Sequence, residues 1–182
     1  MHSITASQNS PEMLKLLRAQ RSVYSSTKVL LIQQVCLTVI LPVLAAIAVL
    51  KWPGLKATAA TTALLVVIID ATLLDRIQKK RRRLAATIQE EFDCGVLRLP
   101  WNEFSVAKRP DPEIIHEAAG NFRGNETEVT NWYPAAVDKV PLHLARVIAQ
   151  RTNSVYDSKL RRRFGNWTRS SAESCVEGVL LG

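Results

Sequence analysis

Apolar residues are not spread evenly along this chain. They collect in two nearly unbroken runs, residues 29–50 and 57–74, on either side of the six-residue linker Lys51-Trp52-Pro53-Gly54-Leu55-Lys56. A helix crossing the hydrocarbon of a bilayer needs roughly 20 such residues. The first run is about that long; the second is slightly shorter and holds one acid, Asp70. So short a linker makes the two helices antiparallel neighbours, and Trp52-Pro53-Gly54 is strong turn chemistry. Pro42 lies midway through the first run, where a membrane helix tolerates it with a kink and some rescue of the freed carbonyl.

Outside these runs the pattern mixes polar and apolar positions. Ser10-Pro11-Glu12 predicts a helix start, with Ser as N-cap and Pro in the first turn. Leu14, Leu17, Arg21, Tyr24 and Lys28 then recur at helical spacing with no breaker before Val29. This stretch reads either as an interfacial helix or as a plain extension of the first span. Residues 75–93 predict a further helix with a stripe of Ile77, Leu84, Ile88 and Phe92, and with Glu90, Glu91 and Asp93 available to the preceding cations. Residues 94–110 read as short and extended, through Val96, Leu97, Leu99 and Trp101. Asp111-Pro112-Glu113 starts another helix, residues 119–130 read as loop, and Trp132-Tyr133-Pro134 as an aromatic stop. Pro141 starts a long helix through Leu144, Ile148, Tyr156 and Leu160 to Phe164. Residues 175–182 turn apolar again, and the expectation is that a third span begins there on a truncated chain. The expected fold class is an all-α membrane protein. Residues 1–28 form an N-terminal helix, 29–74 a transmembrane hairpin, 75–170 a mainly helical cytosolic region, and 171–182 the beginning of a third span.

Composition changes this picture only when it is divided. A mean hydropathy of +0.03 averages a greasy first half with a polar second half. Residues 1–83 carry 12 Lys and Arg against three acids; residues 84–182 carry 12 against 13, so the net +8 lies almost wholly beside the apolar runs. That placement argues for topology and anionic lipid rather than nucleic acid. Lys28 precedes the first run, and Arg76, Lys79, Lys80, Arg81, Arg82 and Arg83 follow the second, whereas the linker has only Lys51 and Lys56. The positive-inside rule therefore puts the N-terminus and everything after Leu74 in the cytoplasm of a multi-pass membrane protein. A cleavable signal peptide does not fit, because a second apolar run follows the first in place of a polar mature region. Cys36, Cys94 and Cys175 are an odd, scattered set with neither a disulfide framework nor zinc spacing.

Two constellations carry candidate chemistry. Counting inward along an antiparallel hairpin puts Asp70 level with Gln33 and Gln34, near the cytoplasmic leaflet. An ionisable residue inside a span usually faces a partner or a wet cavity. The three side chains could pin the hairpin or line a polar path in a homo-oligomer; the plain alternative is that Asp70 snorkels or pairs with Arg76. Arg146, Gln150, Asn153, Asp157 and Arg161 fall on one polar face of the long helix. Such a face could hold an anionic ligand, because guanidinium forks suit phosphate; otherwise it is solvated or makes internal ion pairs. Catalysis has no support. His116-Glu117 lacks the second histidine of a metalloprotease helix, and no nucleophile elbow, P-loop or dinucleotide fingerprint occurs. No metal site and no cofactor is expected.

Several strings, in order around the hairpin, resemble a known family. Gln8-Asn9, Leu17, Ala19-Gln20-Arg21, Tyr24 and Lys28 precede the first run. Ile88-Gln89-Glu90-Glu91-Phe92-Asp93 and Leu99-Pro100-Trp101-Asn102-Glu103 follow the second. Trp132-Tyr133-Pro134, Ala145-Arg146, Gln150-Arg151, Asn153, Asp157 and Leu160-Arg161-Arg162 complete the set. Together they resemble the SMODS-associating four-TM effectors, a bacterial family of pore formers encoded beside cyclic-oligonucleotide synthases in anti-phage defence islands. The resemblance implies two hairpins with a cytosolic region between them, of which this chain holds the first hairpin and that region. It also implies a pore-forming effector activated through the cytosolic region, with a cyclic nucleotide second messenger as a possible partner. The competing expectations are a membrane-tethered binding or scaffold protein without a pore and, less supported, a membrane-bound enzyme.

Overall fold

Two helices of unusual length dominate the fold. The computed structural model describes residues 3–106, 108–155, 158 and 162, without the side chain of Ala71. The first long helix runs without a break from Pro11 to Lys51 and the second from Pro53 to Leu97. At 1.5 Å per residue they are about 60 to 70 Å long, roughly twice a bilayer's hydrocarbon thickness. Following a short α1 (Ile4–Gln8), they comprise α2 (Pro11–Val35) and α3 (Leu41–Lys51), then α4 (Lys56–Ile69) and α5 (Asp75–Leu97). Two shorter helices follow, α6 (Glu103–Val106) and α7 (Pro112–Gly120), and residues 142–155 form α8. The described residues contain no strand.

The helix start at Ser10 follows the capping chemistry: Met13 N donates to Ser10 Oγ at 3.5 Å, with Pro11 in the first turn. Of the two readings of residues 11–28, the structure takes the plain extension into the first apolar run. One turn of π-helix, Cys36–Ile40, joins α2 to α3, and Leu41 N donates to Cys36 O, five residues back. It lies directly before Pro42, whose missing N–H breaks the ordinary ladder; a widened turn re-routes the hydrogen bonds there. A second π turn, Asp70–Leu74, joins α4 to α5, where Asp75 N donates to Asp70 O. Trp52 and the single turn Pro53–Leu55 make the reversal between the two long helices.

The chain divides into two units, residues 8–130 and residues 1–7 with 131–182. In the first unit α2 packs along α5 and α7. Its core comes from Leu16, Leu17, Ala19 and Val23 of α2, Ala85, Ile88, Phe92, Val96 and Leu97 of α5, and Ile115 of α7. Gln20 Nε2 donates to Gln89 Oε1 at 2.7 Å across this seam. Arg18 and Arg21 reach Glu126 and Glu128 at 2.9 and 3.1 Å, which ties the loop after α7 to α2. Toward the reversal, α3 and α4 face each other with small residues, Ala45, Ala48, Ala59 and Ala63, around a groove of about 200 Å3. Close approach through small side chains is the usual packing of helices in lipid.

The extended reading of residues 94–110 is corrected. α5 continues to Leu97, because Val96 and Leu97 are buried on its inner face. The helix stops at Arg98, in the left-handed conformation with φ 52°, and Leu99 N donates back to Cys94 O at 3.0 Å. Gly95 is not the stop. It sits inside the helix, where a Cβ would stand 3.0 Å from Met13 Sδ.

In the second unit Tyr133, Val137, Ala145 and Ala149 are buried. Asp138 caps α1 from outside the helix: Ile4 N donates to its Oδ1 at 2.7 Å and Ser3 Oγ to its Oδ2 at 2.5 Å, and Thr5 Oγ1 also donates to Oδ2. Burial raises the Asp138 carboxyl, but these hydrogen bonds outweigh it and hold it below the usual carboxylate range.

Candidate functional site

The polar layer inside the hairpin follows from where the apolar residues run out. The two spans hold few groups that need a partner. Thr38, Thr61, Thr62 and Thr72 each turn the hydroxyl back onto the carbonyl four residues earlier. Asp70 has no such local solution, because a carboxylate needs a donor. Gln34 supplies it from the other long helix, with Nε2 at 2.5 Å from Asp70 Oδ1. Gln34 is itself completed by Gln78, whose Nε2 donates to Gln34 Oε1. Gln78 Oε1 in turn accepts from Arg82 Nη2 at 2.6 Å.

A relay of two amides thus links a carboxylate in the apolar half of the hairpin to a guanidinium in its charged half. Asp70 and Arg82 are twelve residues apart, about 18 Å along the helix. Gln78, at the centre, is only 2% exposed; Asp70 and Gln34 are half-buried and Arg82 is exposed. The amides align donor to acceptor throughout, and such chains polarise one another in low dielectric. Asp70 Oδ2 accepts no hydrogen bond among the described residues. The π turn beginning at Asp70 accompanies this contact, and wide turns of that kind are frequent at functional positions.

Of the three side chains placed on one level by the sequence, the structure brings Gln34 and Asp70 together. Gln33 is exposed on the outside of its helix, and its side chain makes no hydrogen bond among the described residues. Gln78 and Arg82 were missed as members of the layer. Their signal was the i, i+4 spacing of an amide and a guanidinium inside a block read only as charge. Asp70 does not pair with Arg76, which is exposed. Asp75 pairs with Lys79 at 2.7 Å. Lys28, Lys79, Lys80 and Arg83 are exposed and Arg81 is half-buried.

The polar face of the long helix is only partly described, because Asp157 and Arg161 lie outside the described residues. So does the apolar stretch 171–182. Arg146 and Asn153 are half-buried beside the buried Ala145 and Ala149, and Gln150 is exposed. Asn153 Nδ2 donates to Tyr133 Oη at 3.2 Å, which gives Asn153 a role in packing the buried tyrosine. Among the described residues no group of three His, Cys, Asp or Glu is placed to hold a metal. Burial, followed by the neighbouring Glu90 and Asp93, raises the Cys94 thiol above the ordinary cysteine range.

The two long helices are apolar and long enough to cross a membrane. None of the most apolar window of the first is buried, and 6% of that of the second. A core helix of a water-soluble protein would be mostly covered.

Comparisons with known proteins agree with this arrangement. Residues 2–181 match the SMODS-associating 4TM effector domain. A curated relative, described as a probable CBASS effector molecule of Bacillus cereus (strain VD146), is 29% identical over 162 residues. The match takes in 86% of this chain and 55% of that protein, so the chain spans about half the length of the relative. No solved structure matches it. With the match extending over nearly every residue, this chain belongs to the SMODS-associating 4TM effector family.

Proposed function

We propose that this chain is the membrane-embedded part of an anti-phage defence effector that opens the bacterial inner membrane without catalysing a reaction. Its N-terminus and the region after residue 74 lie in the cytoplasm, where a cyclic oligonucleotide or a partner triggers assembly of several copies. The observation that carries this reading is the unburied hairpin with a polar layer inside it. Uncovered apolar helices need lipid as their solvent. A carboxylate with a spare acceptor oxygen, and an exposed amide at Gln33 on the same hairpin, are costly in lipid and seek partners there. A second copy supplies such partners, and a ring of them would line a wet path. The family and its relative's description as a probable CBASS effector support the defence role.

The test is leakage. Vesicles reconstituted with the full-length protein should release a trapped dye when a cyclic oligonucleotide is added, and Asp70→Leu should release it severalfold more slowly. If the vesicles keep their dye and cells expressing the activated protein keep their membrane potential, the hairpin is only a tether and the pore reading fails.

A further inference from the structure

The charged half of the hairpin encloses a cleft of about 660 Å3 between α2, α5, α7 and the loop after α7. Four cations line it, Arg21, Lys28, Arg81 and Arg123, against two acids, Glu117 and Glu128. Arg21 is already committed to Glu128 at 3.1 Å. Lys28, Arg81 and Arg123 make no ion pair or side-chain hydrogen bond among the described residues. Arg81 is half-buried, and no carboxylate among the described residues pairs with it. Like charges gathered in one cleft repel one another unless an anion completes them. Among the described residues the cleft therefore carries a net +2 without a matching counter-charge.

Size and shape narrow the anion. The volume falls within the range of organic-ligand sites and far exceeds a single inorganic ion. Two guanidiniums, from α5 and from the loop, present planar forks suited to phosphate oxygens. Phe122 adds an apolar wall, and its ring lies so close over Gly124 that a Cβ there would stand 2.6 Å from Phe122 Cζ. We propose that this cleft binds an organic phosphate of about two negative charges, held chiefly by Arg81 and Arg123. Val29, the first residue of the apolar run, also lines the cleft, which thus borders the apolar half. The phosphate can then come from a lipid headgroup or from a soluble nucleotide. The soluble source rests on the activation reading above; the cleft itself does not.

The experiment reads binding, not leakage, so it stands whether or not the hairpin forms a pore. The full-length protein is placed in nanodiscs of neutral phosphatidylcholine and titrated with a cyclic dinucleotide. In parallel it is placed in discs containing phosphatidylglycerol, and thermal unfolding is followed in both. Arg81→Gln and Arg123→Gln are compared with Lys80→Gln, which removes the same charge from an exposed position outside the cleft. A nucleotide source predicts saturable binding in neutral discs, weakened about tenfold by Arg81→Gln and unchanged by Lys80→Gln. A lipid source predicts stabilisation by the anionic discs alone, lost in the same variants and kept in Lys80→Gln. Arg123 lies on an exposed loop, so its variant keeps the test open should Arg81→Gln fail to fold. No response of the wild type to either phosphate, or equal losses in the cleft variants and Lys80→Gln, overturns the proposal.

Discussion

Along the same two long helices, the charged halves and the apolar halves solve opposite problems. The charged halves are amphipathic and bury one stripe, with Leu17, Ile88 and Phe92 at 0% exposure. The apolar halves bury almost nothing: of α3 no residue is buried, and of α4 only Val66. In water a helix is held by the face it hides. A helix whose apolar residues stay uncovered on nearly every side needs another solvent, and lipid is the one we propose. No break in the backbone marks the change of solvent. It falls near the polar layer, where Asp70, Gln34 and Gln78 lead from one half to the other.

The largest test of this contrast is a pair of truncations. Phe92→Ala should cost about 3–5 kcal/mol, because it empties a fully enclosed site. Leu44→Ala, at a position 57% exposed, should cost less than about 0.5 kcal/mol in detergent. Thermal unfolding followed by circular dichroism reads both. Equal losses would mean that the apolar halves have a packed core of their own, and the contrast would fall.

A smaller effect tests whether the charged halves are dry inside. Glu91 on α5 is half-buried, and its Oε2 has no hydrogen-bond partner among the described residues. Burial raises its carboxyl above the ordinary glutamate range, and the charge of Arg109 pulls it partly back. A raised carboxyl favours the folded state while it is protonated. That contribution is complete below the unfolded-state pKa and is lost as pH rises through the folded value. Wild type should therefore lose stability relative to Glu91→Gln over that interval, and unfolding temperatures measured across it should diverge. Parallel curves would mean that water reaches the carboxylate.

How much of this could be read in advance depended on how local the cause was. The hairpin, its reversal at Trp52-Pro53-Gly54, the cap at Ser10 and the start at Pro112 all rest on neighbouring residues. The meeting of Gln34 with Asp70 needed only a depth count along antiparallel helices. Residues 94–97 misled because Val96, Leu97, Leu99 and Trp101 suggest a strand, whereas burial of Val96 and Leu97 keeps α5 going. Gln78 was hidden among cations, and its role depends on Gln34, 44 residues away. The phosphate cleft was out of reach, because it gathers residues 28, 81 and 123 only after α2, α5 and α7 have packed.

The smallest expected effect bears on how far charge, rather than burial, holds the charged halves together. Arg18 Nε and Nη2 both reach Glu126 Oε2, at 3.2 and 2.9 Å, from a helix to a loop. The side chains are 35% and 56% exposed, so water screens the attraction, and fixing two long side chains costs entropy. A double-mutant cycle with Arg18→Ala and Glu126→Ala should return a coupling of about 0.2–1 kcal/mol. In about 1 M salt, where the screening length shrinks to about 3 Å, it should fall toward zero. Phe92→Ala should cost the same in either salt, since apolar burial carries no charge to screen. A coupling of several kcal/mol that survives salt would move the loop after α7 from a tether to a structural part of the core. The contrast between the two halves would then be one of charge pairing as much as of burial.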